Sequence, residues 1–189
     1  SSSNVSPSTV VKFTSTLVSE IKNDSVVINA KLNSKTNITK YGYCYSTKKT
    51  DVTAYKKLIT ACSSNINSNA LSISLNKLSA NTEYYFCVWV VISGKTVYSD
   101  ISNFKTKANA PAKATIKTST PNLGINDTAT FSWNAASGAD SYIVKIYKDG
   151  VLWSTSNTIK GYQYVSNKLT AAGTYQAEII SKNSADTVT

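Results

Sequence analysis

The chain has 189 residues and carries 20 Lys with no Arg and no His, against 10 acids, for a formal net charge of +10. Without His, neither a Ser-His-Asp nor a Cys-His arrangement can be built, and the common neutral-pH general base is missing. Without Arg, the bidentate guanidinium of sequence-specific nucleic-acid readers is missing too, so an all-Lys surface reads first as a solvated one.

The apolar fraction of 41% is supplied by Val, Ile, Leu and Tyr, and Ser, Thr and Asn dominate the polar residues. That is a strand-forming alphabet, and the length suits two sandwiches of about 90 to 100 residues each. No apolar run approaches the roughly 20 residues of a membrane helix, and no signal-peptide pattern stands at the N-terminus.

Residues 1–9 (SSSNVSPST) are polar, Ser-rich and Pro-containing, as a linker is. A strand-like run starts at Val10. Residues 25–34 then alternate, with Val26, Ile28, Ala30 and Leu32 on one face and Val27, Asn29 and Lys31 on the other. The period of two recurs at Tyr41, Tyr43 and Tyr45, more weakly around Leu58 and Ile59, and again at Leu71, Ile73 and Leu75. It returns at Tyr84, Phe86, Val88 and Val90, and last from Lys95 to Phe104, which makes seven strands. Ser93-Gly94 supplies a hairpin turn between the final two runs.

A short linker at 108–112 follows, inside KANAPAK with its Pro111, and alternation resumes with Ala129, Phe131 and Trp133. Tyr142, Val144 and Ile146 lead into the turn Asp149-Gly150, whose residues both tolerate positive φ. Across a two-residue turn Trp153 falls opposite Ile146, on the buried side. A run from Tyr162 to Val165 comes next, then Tyr175, Ala177 and Ile179. After Lys182 only Asn183 to Thr189 remain, too few for a complete last strand.

The chain also repeats itself. Leu78-Ser79-Ala80-Asn81-Thr82-Glu83-Tyr84 and Leu169-Thr170-Ala171-Ala172-Gly173-Thr174-Tyr175 share a Leu, an Ala two residues on and a Tyr six after the Leu. Each precedes an alternating strand, the setting of a tyrosine corner, in which the hydroxyl bonds back to the backbone just upstream. These segments resemble the fibronectin type III pattern between strands E and F, and Trp133 resembles its core Trp on strand B. Tyr41-Gly42-Tyr43-Cys44-Tyr45-Ser46-Thr47, Asn81 to Phe86, Gly94 to Tyr98 and Phe104-Lys105-Thr106 resemble a bacterial surface-protein version of that fold.

The resemblance implies an all-β chain of two tandem immunoglobulin-like (fibronectin type III-like) β-sandwiches, at 10–107 and 113–189. The second is expected to lack a full strand G. It further implies non-catalytic structural or spacer modules of an extracellular or cell-surface protein, with no cofactor.

Three cysteines, Cys44, Cys62 and Cys87, lie in the first module. An odd number leaves at least one unpaired, and the implied fold makes the strands of Cys44 and Cys87 neighbours, so theirs is the disulfide to test first. A zinc site is disfavoured, because neither a CxxC pair nor a His is present, and no metal is expected. The acids Asp140 and Asp149 end one predicted strand about 30 Å apart, whereas a glycosidase pair needs ~5 to 9.5 Å.

Carbohydrate binding is the sharper alternative. Trp89 shares parity with Cys87 on the face opposite Tyr84, Phe86 and Val88, with Lys95 and Tyr98 on the adjoining strand, and an outward ring of that kind can stack on a sugar. The charge points the same way: 13 Lys against 5 acids give +8 up to Lys107, while 7 against 5 give +2 beyond it. A cell-wall polysaccharide would therefore meet the first module. The other alternative is protein adhesion, by strand addition to a last strand left without its neighbour.

Overall fold

The computed structural model describes residues 10–119, 122–183 and 187–188, so the linker expected at 1–9 lies outside the described residues. The chain divides into two compact units, Ser1–Lys107 and Ala108–Thr189.

In the first unit, strands β1 (Phe13–Ser19), β2 (Val26–Ile38), β3 (Lys40–Ser46), β4 (Ile59–Cys62), β5 (Ile66–Leu75), β6 (Glu83–Ile92), β7 (Lys95–Tyr98) and β8 (Ser102–Lys105) are joined by one helix, α1 (Lys49–Thr53). One sheet has the order β1-β2-β5 and the other β4-β3-β6-β7, with β8 pairing β6 beyond the end of β7, all antiparallel. The alternation of β2 does what a half-buried strand requires. Val26, Ile28, Ala30 and Leu32 meet Leu71, Ile73 and Leu75 of β5, and from the other sheet Tyr84, Phe86, Val88, Val90 and Phe104 close over them. Each large apolar side chain buried there contributes about 1.5–3 kcal/mol.

The last run of the first unit is two strands rather than one, because a side chain takes over from the ladder. At Ser99 the backbone still donates to the Val88 carbonyl at 2.8 Å, but the returning bond, from Val88 N–H, goes to the Ser99 hydroxyl at 2.9 Å. That hydroxyl in turn donates to the Asp100 carbonyl at 2.8 Å. The same device recurs twice in the second unit. Val144 N–H donates to the Ser156 hydroxyl and Ala129 N–H to the Ser166 hydroxyl, both at 2.9 Å, and each hydroxyl donates in turn to the next residue's carbonyl.

The second unit places β9 (Ile116–Ser119), β10 (Thr128–Trp133) and β13 (Gln163–Lys168) in one sheet. β11 (Ser141–Lys148), β12 (Val151–Thr155), β14 (Tyr175–Lys182) and the two-residue β15 (Thr187–Val188) form the other, in the order β12-β11-β14-β15. Ala129, Phe131 and Trp133 pack on Tyr142, Val144, Ile146 and Ile179, with the Trp133 and Tyr142 rings edge to face at 5.4 Å. The turn at Asp149 (φ 51°) and Gly150 (φ 82°) is left-handed at both residues. Beyond it a bulge between Ile146 and Tyr147 puts Ser154, not Trp153, opposite Ile146. Trp153 is half-buried, with its ring against Tyr175 at 5.2 Å. β15 pairs with β14 at Ser181 and Lys182; of the tail Asn183–Thr189, residues 184–186 and 189 lie outside the described residues.

Both units are all-β sandwiches of the immunoglobulin-like, fibronectin type III-like kind, with a three-stranded antiparallel sheet facing a larger one across one core.

Candidate functional site

The residues singled out for binding lie on the outer face of the first unit's larger sheet. Register puts Gly42 opposite Trp89, Cys44 opposite Cys87, and Trp89 opposite Tyr98. Trp89 does point away from the core of Phe86 and Val88, as its parity requires. It is nevertheless buried, at 4% exposure, which corrects the expectation of an outward ring free to stack on a sugar.

The reason lies in Gly42. A Cβ at that position would come within 2.6 Å of the Trp89 ring and closer still to the Ile59 carbonyl, so the ring fills the space a side chain would need. The indole N–H donates to the Tyr43 carbonyl at 3.3 Å, and the Lys40 ammonium stands 5.9 Å from the ring centroid, within cation–π reach. Lys95 is not part of this group. It pairs with Ile92, whose side chain packs toward the core, so it belongs to the opposite face from Trp89 and Tyr98. Lys40 takes the place expected for Lys95, and its shared parity with Gly42 and Cys44 was the signal that could have found it.

The neighbouring part of the face is sealed by α1. Val52, fully buried, packs on Cys44 and Cys87, with Tyr85, Tyr98 and Ile101 around them. A five-residue helix has little stability of its own, so side chains hold it. The Ser46 hydroxyl accepts the Lys48 N–H at 3.1 Å and donates to the Asp51 carboxylate at 3.2 Å, and Asp51 accepts from the Lys56 ammonium at 3.0 Å. Lys56 therefore holds the Asp51 carboxyl below its ordinary value, with help from Ser46. Just beyond the helix Tyr55 (φ 50°) and Lys57 (φ 59°) are left-handed, a conformation that costs an ordinary residue on the order of 1 kcal/mol or more. The strain is offset in part by the Tyr55 ring, which stacks on Tyr98 at 3.9 Å between centroids.

All three cysteines are free thiols in this structure, and Cys44 and Cys87, the pair expected to bridge, are direct cross-strand partners. The Cys44 thiol donates to the Lys56 carbonyl at 3.0 Å. Burial pushes both thiols up, Cys87 to about 12, so both are protonated at neutral pH and neither is a ready nucleophile or metal ligand. Among the described residues no cluster of three or more His, Cys, Asp or Glu could hold a metal ion.

No family model and no curated protein matches the chain. Among solved structures it is similar to the FN1–FN3 domains of chicken CNTN1, at 20% identity with a TM-score of 0.37. The match covers 91% of this chain and 61% of that one, so the chain spans less than two thirds of the structure it matches.

Proposed function

We propose that the chain is a non-catalytic structural region of a bacterial secreted or cell-surface protein, in which two sandwiches, 10–107 and 113–189, space and present neighbouring parts. One observation carries this reading. On the outer face that could have offered Trp89 and Tyr98 to a ligand, the Trp89 ring is buried in the space left over Gly42, and Val52 and Tyr55 of the chain itself pack around Tyr98, as in a packing layer. Calorimetry of the intact chain against neutral and acidic glycans tests it. The expected result is no saturable heat; saturable binding of any member, with defined stoichiometry, would overturn it.

A second reading, attachment to an anionic cell-wall polymer, is favoured by the charge around α1. Lys48, Lys49 and Lys57 are exposed, beside them Tyr55 keeps 41% of its surface in water, and the nearby acid Asp51 is engaged by Lys56. Field and aromatic surface together suit a polyanion with apolar ring faces. Under this reading binding weakens steeply with salt and is lost when Lys48, Lys49 and Lys57 are all changed to Ala. The adhesion alternative, expected at β14, whose Ser181 and Lys182 are paired by β15, draws instead on β12, an edge strand whose Val151 and Leu152 are exposed.

A further inference from the structure

We propose that Cys44 and Cys87 form a gated cross-linking site: a sealed dithiol that closes to a cross-strand disulfide when α1 lifts away from the sheet. Directly opposed residues on antiparallel strands have Cα atoms about 4.5 or 5.5 Å apart, and both spacings fall within the ~4.4–6.8 Å that a disulfide spans. Cys44 and Cys87 are such a pair, and their thiols are close enough to hydrogen-bond to each other. The third cysteine is kept out by the pleat. Cys62 pairs with Tyr41, on the opposite face of β3 from Cys44, and its thiol contacts the Tyr41 hydroxyl.

What prevents closure in the reduced protein is access. Both thiols are completely buried beneath Val52, and the Cys44 thiol is tied to the Lys56 carbonyl. An oxidant must reach a sulfur, and a thiol must lose its proton to water, so both steps wait for α1 to open. The short helix, its Ser46–Asp51–Lys56 bonds and the Tyr55–Tyr98 stack form a unit that can open while the two sheets stay paired.

With a small-molecule disulfide such as oxidised glutathione, the chemistry balances in two exchanges. One protein thiolate, its proton given to water, attacks a glutathione sulfur, forms a mixed disulfide and releases one glutathione thiolate, which takes up a proton. The second protein thiolate attacks the protein sulfur of that mixed disulfide and releases the other glutathione. Two protein thiols are oxidised and one glutathione disulfide is reduced to two thiols. The new bond links β3 to β6 at the centre of the larger sheet.

The test uses the full chain with Cys62→Ser, reduced and then exposed to oxidised glutathione. Thiol titration and intact mass follow the reaction, and peptide mapping identifies the product. The expected result is that both thiols disappear together, the monomer loses two hydrogens, and Cys44 and Cys87 are recovered in one linked peptide. Asp51→Ala, which removes the contacts with Ser46 and Lys56, should speed the reaction severalfold and leave the product unchanged. Lys56→Ala is the second lid variant, and circular dichroism checks that each remains folded. Stable glutathione adducts, covalent dimers, or closure at the same rate in both folded lid variants as in their parent would each overturn the proposal.

Discussion

In the first sandwich the hydroxyl of Tyr84, a buried residue, accepts the Ser79 N–H at 2.9 Å; in the second the hydroxyl of Tyr175, half-buried, donates to the Ala171 carbonyl at 2.9 Å. The same Leu-to-Tyr segment thus makes a corner in both units with the bond running in opposite directions. Around Tyr84 the corner is reinforced by the buried Thr106, whose hydroxyl donates to the Ser79 carbonyl at 2.6 Å and accepts the Thr82 N–H at 3.0 Å. The second sandwich places its buried fastener elsewhere. There Tyr142, at 2% exposure, accepts the Ala136 N–H at 2.9 Å on the strand that enters the larger sheet. A motif in sequence therefore locates the corner, while burial decides how much stability rests on it.

The largest expected effect tests the buried outer face of the first sandwich. Trp89→Ala should remove about 3–5 kcal/mol from the first sandwich, the usual cost of deleting a buried aromatic, and leave the second unchanged. Urea unfolding that resolves the two transitions would measure both. Next come the tyrosines: Tyr84→Phe and Tyr142→Phe each strand a backbone N–H donor and should cost about 1–3 kcal/mol in their own units. Tyr175→Phe, whose orphaned Ala171 carbonyl can turn to water, should cost less than about 0.5 kcal/mol. Equal losses at Tyr84 and Tyr175 would erase the distinction between the two corners.

The serine fasteners give a finer gradation. Ser99→Ala and Ser166→Ala act at buried hydroxyls and should each cost on the order of 1 kcal/mol, while Ser156→Ala, half-buried, should cost roughly half that. Thermal unfolding of the three variants would rank them.

The smallest effect is that of acid. Lys56 holds the Asp51 carboxyl, and Lys148 with the Thr174 N–H holds that of Asp149, below the ordinary value of 3.8. Each contributes stability that is whole above that value and is lost as the pH falls through the lower folded-state value. Unfolding midpoints measured from neutral pH downward should hold level until that range is entered. Asp51→Asn should flatten the decline in the first sandwich and Asp149→Asn in the second.

Most of the fold was legible because strand alternation is a local signal. Val26 to Leu32, Tyr84 to Val90 and Phe131 to Trp133 announce buried faces in the identity of every second residue. The corners were legible for the same reason, being fixed within seven residues. Helix α1 was not, since it has a single apolar residue, Val52, and its first turn is held by Ser46 and Lys56 outside the helix itself. β9 was missed because Ile116 is the one strongly apolar residue in its four. The break between β7 and β8 depends on one serine hydroxyl replacing a ladder partner, which no periodicity reveals. At the candidate site, parity assigned Trp89 to its side of the sheet but could not say what lay upon that side. The space taken from residue 42 and the helix folded back over Cys44 and Cys87 exist only in three dimensions.

The claim that this face is a packing layer rather than a ligand platform is tested most directly by hydrogen exchange at the Trp89 indole N–H, followed by NMR in the unmodified chain. A ring sealed over Gly42 and bonded to the Tyr43 carbonyl predicts exchange slowed far below that of a water-exposed indole. Exchange as fast as that of a free indole would mean that the face is open, and would contradict it.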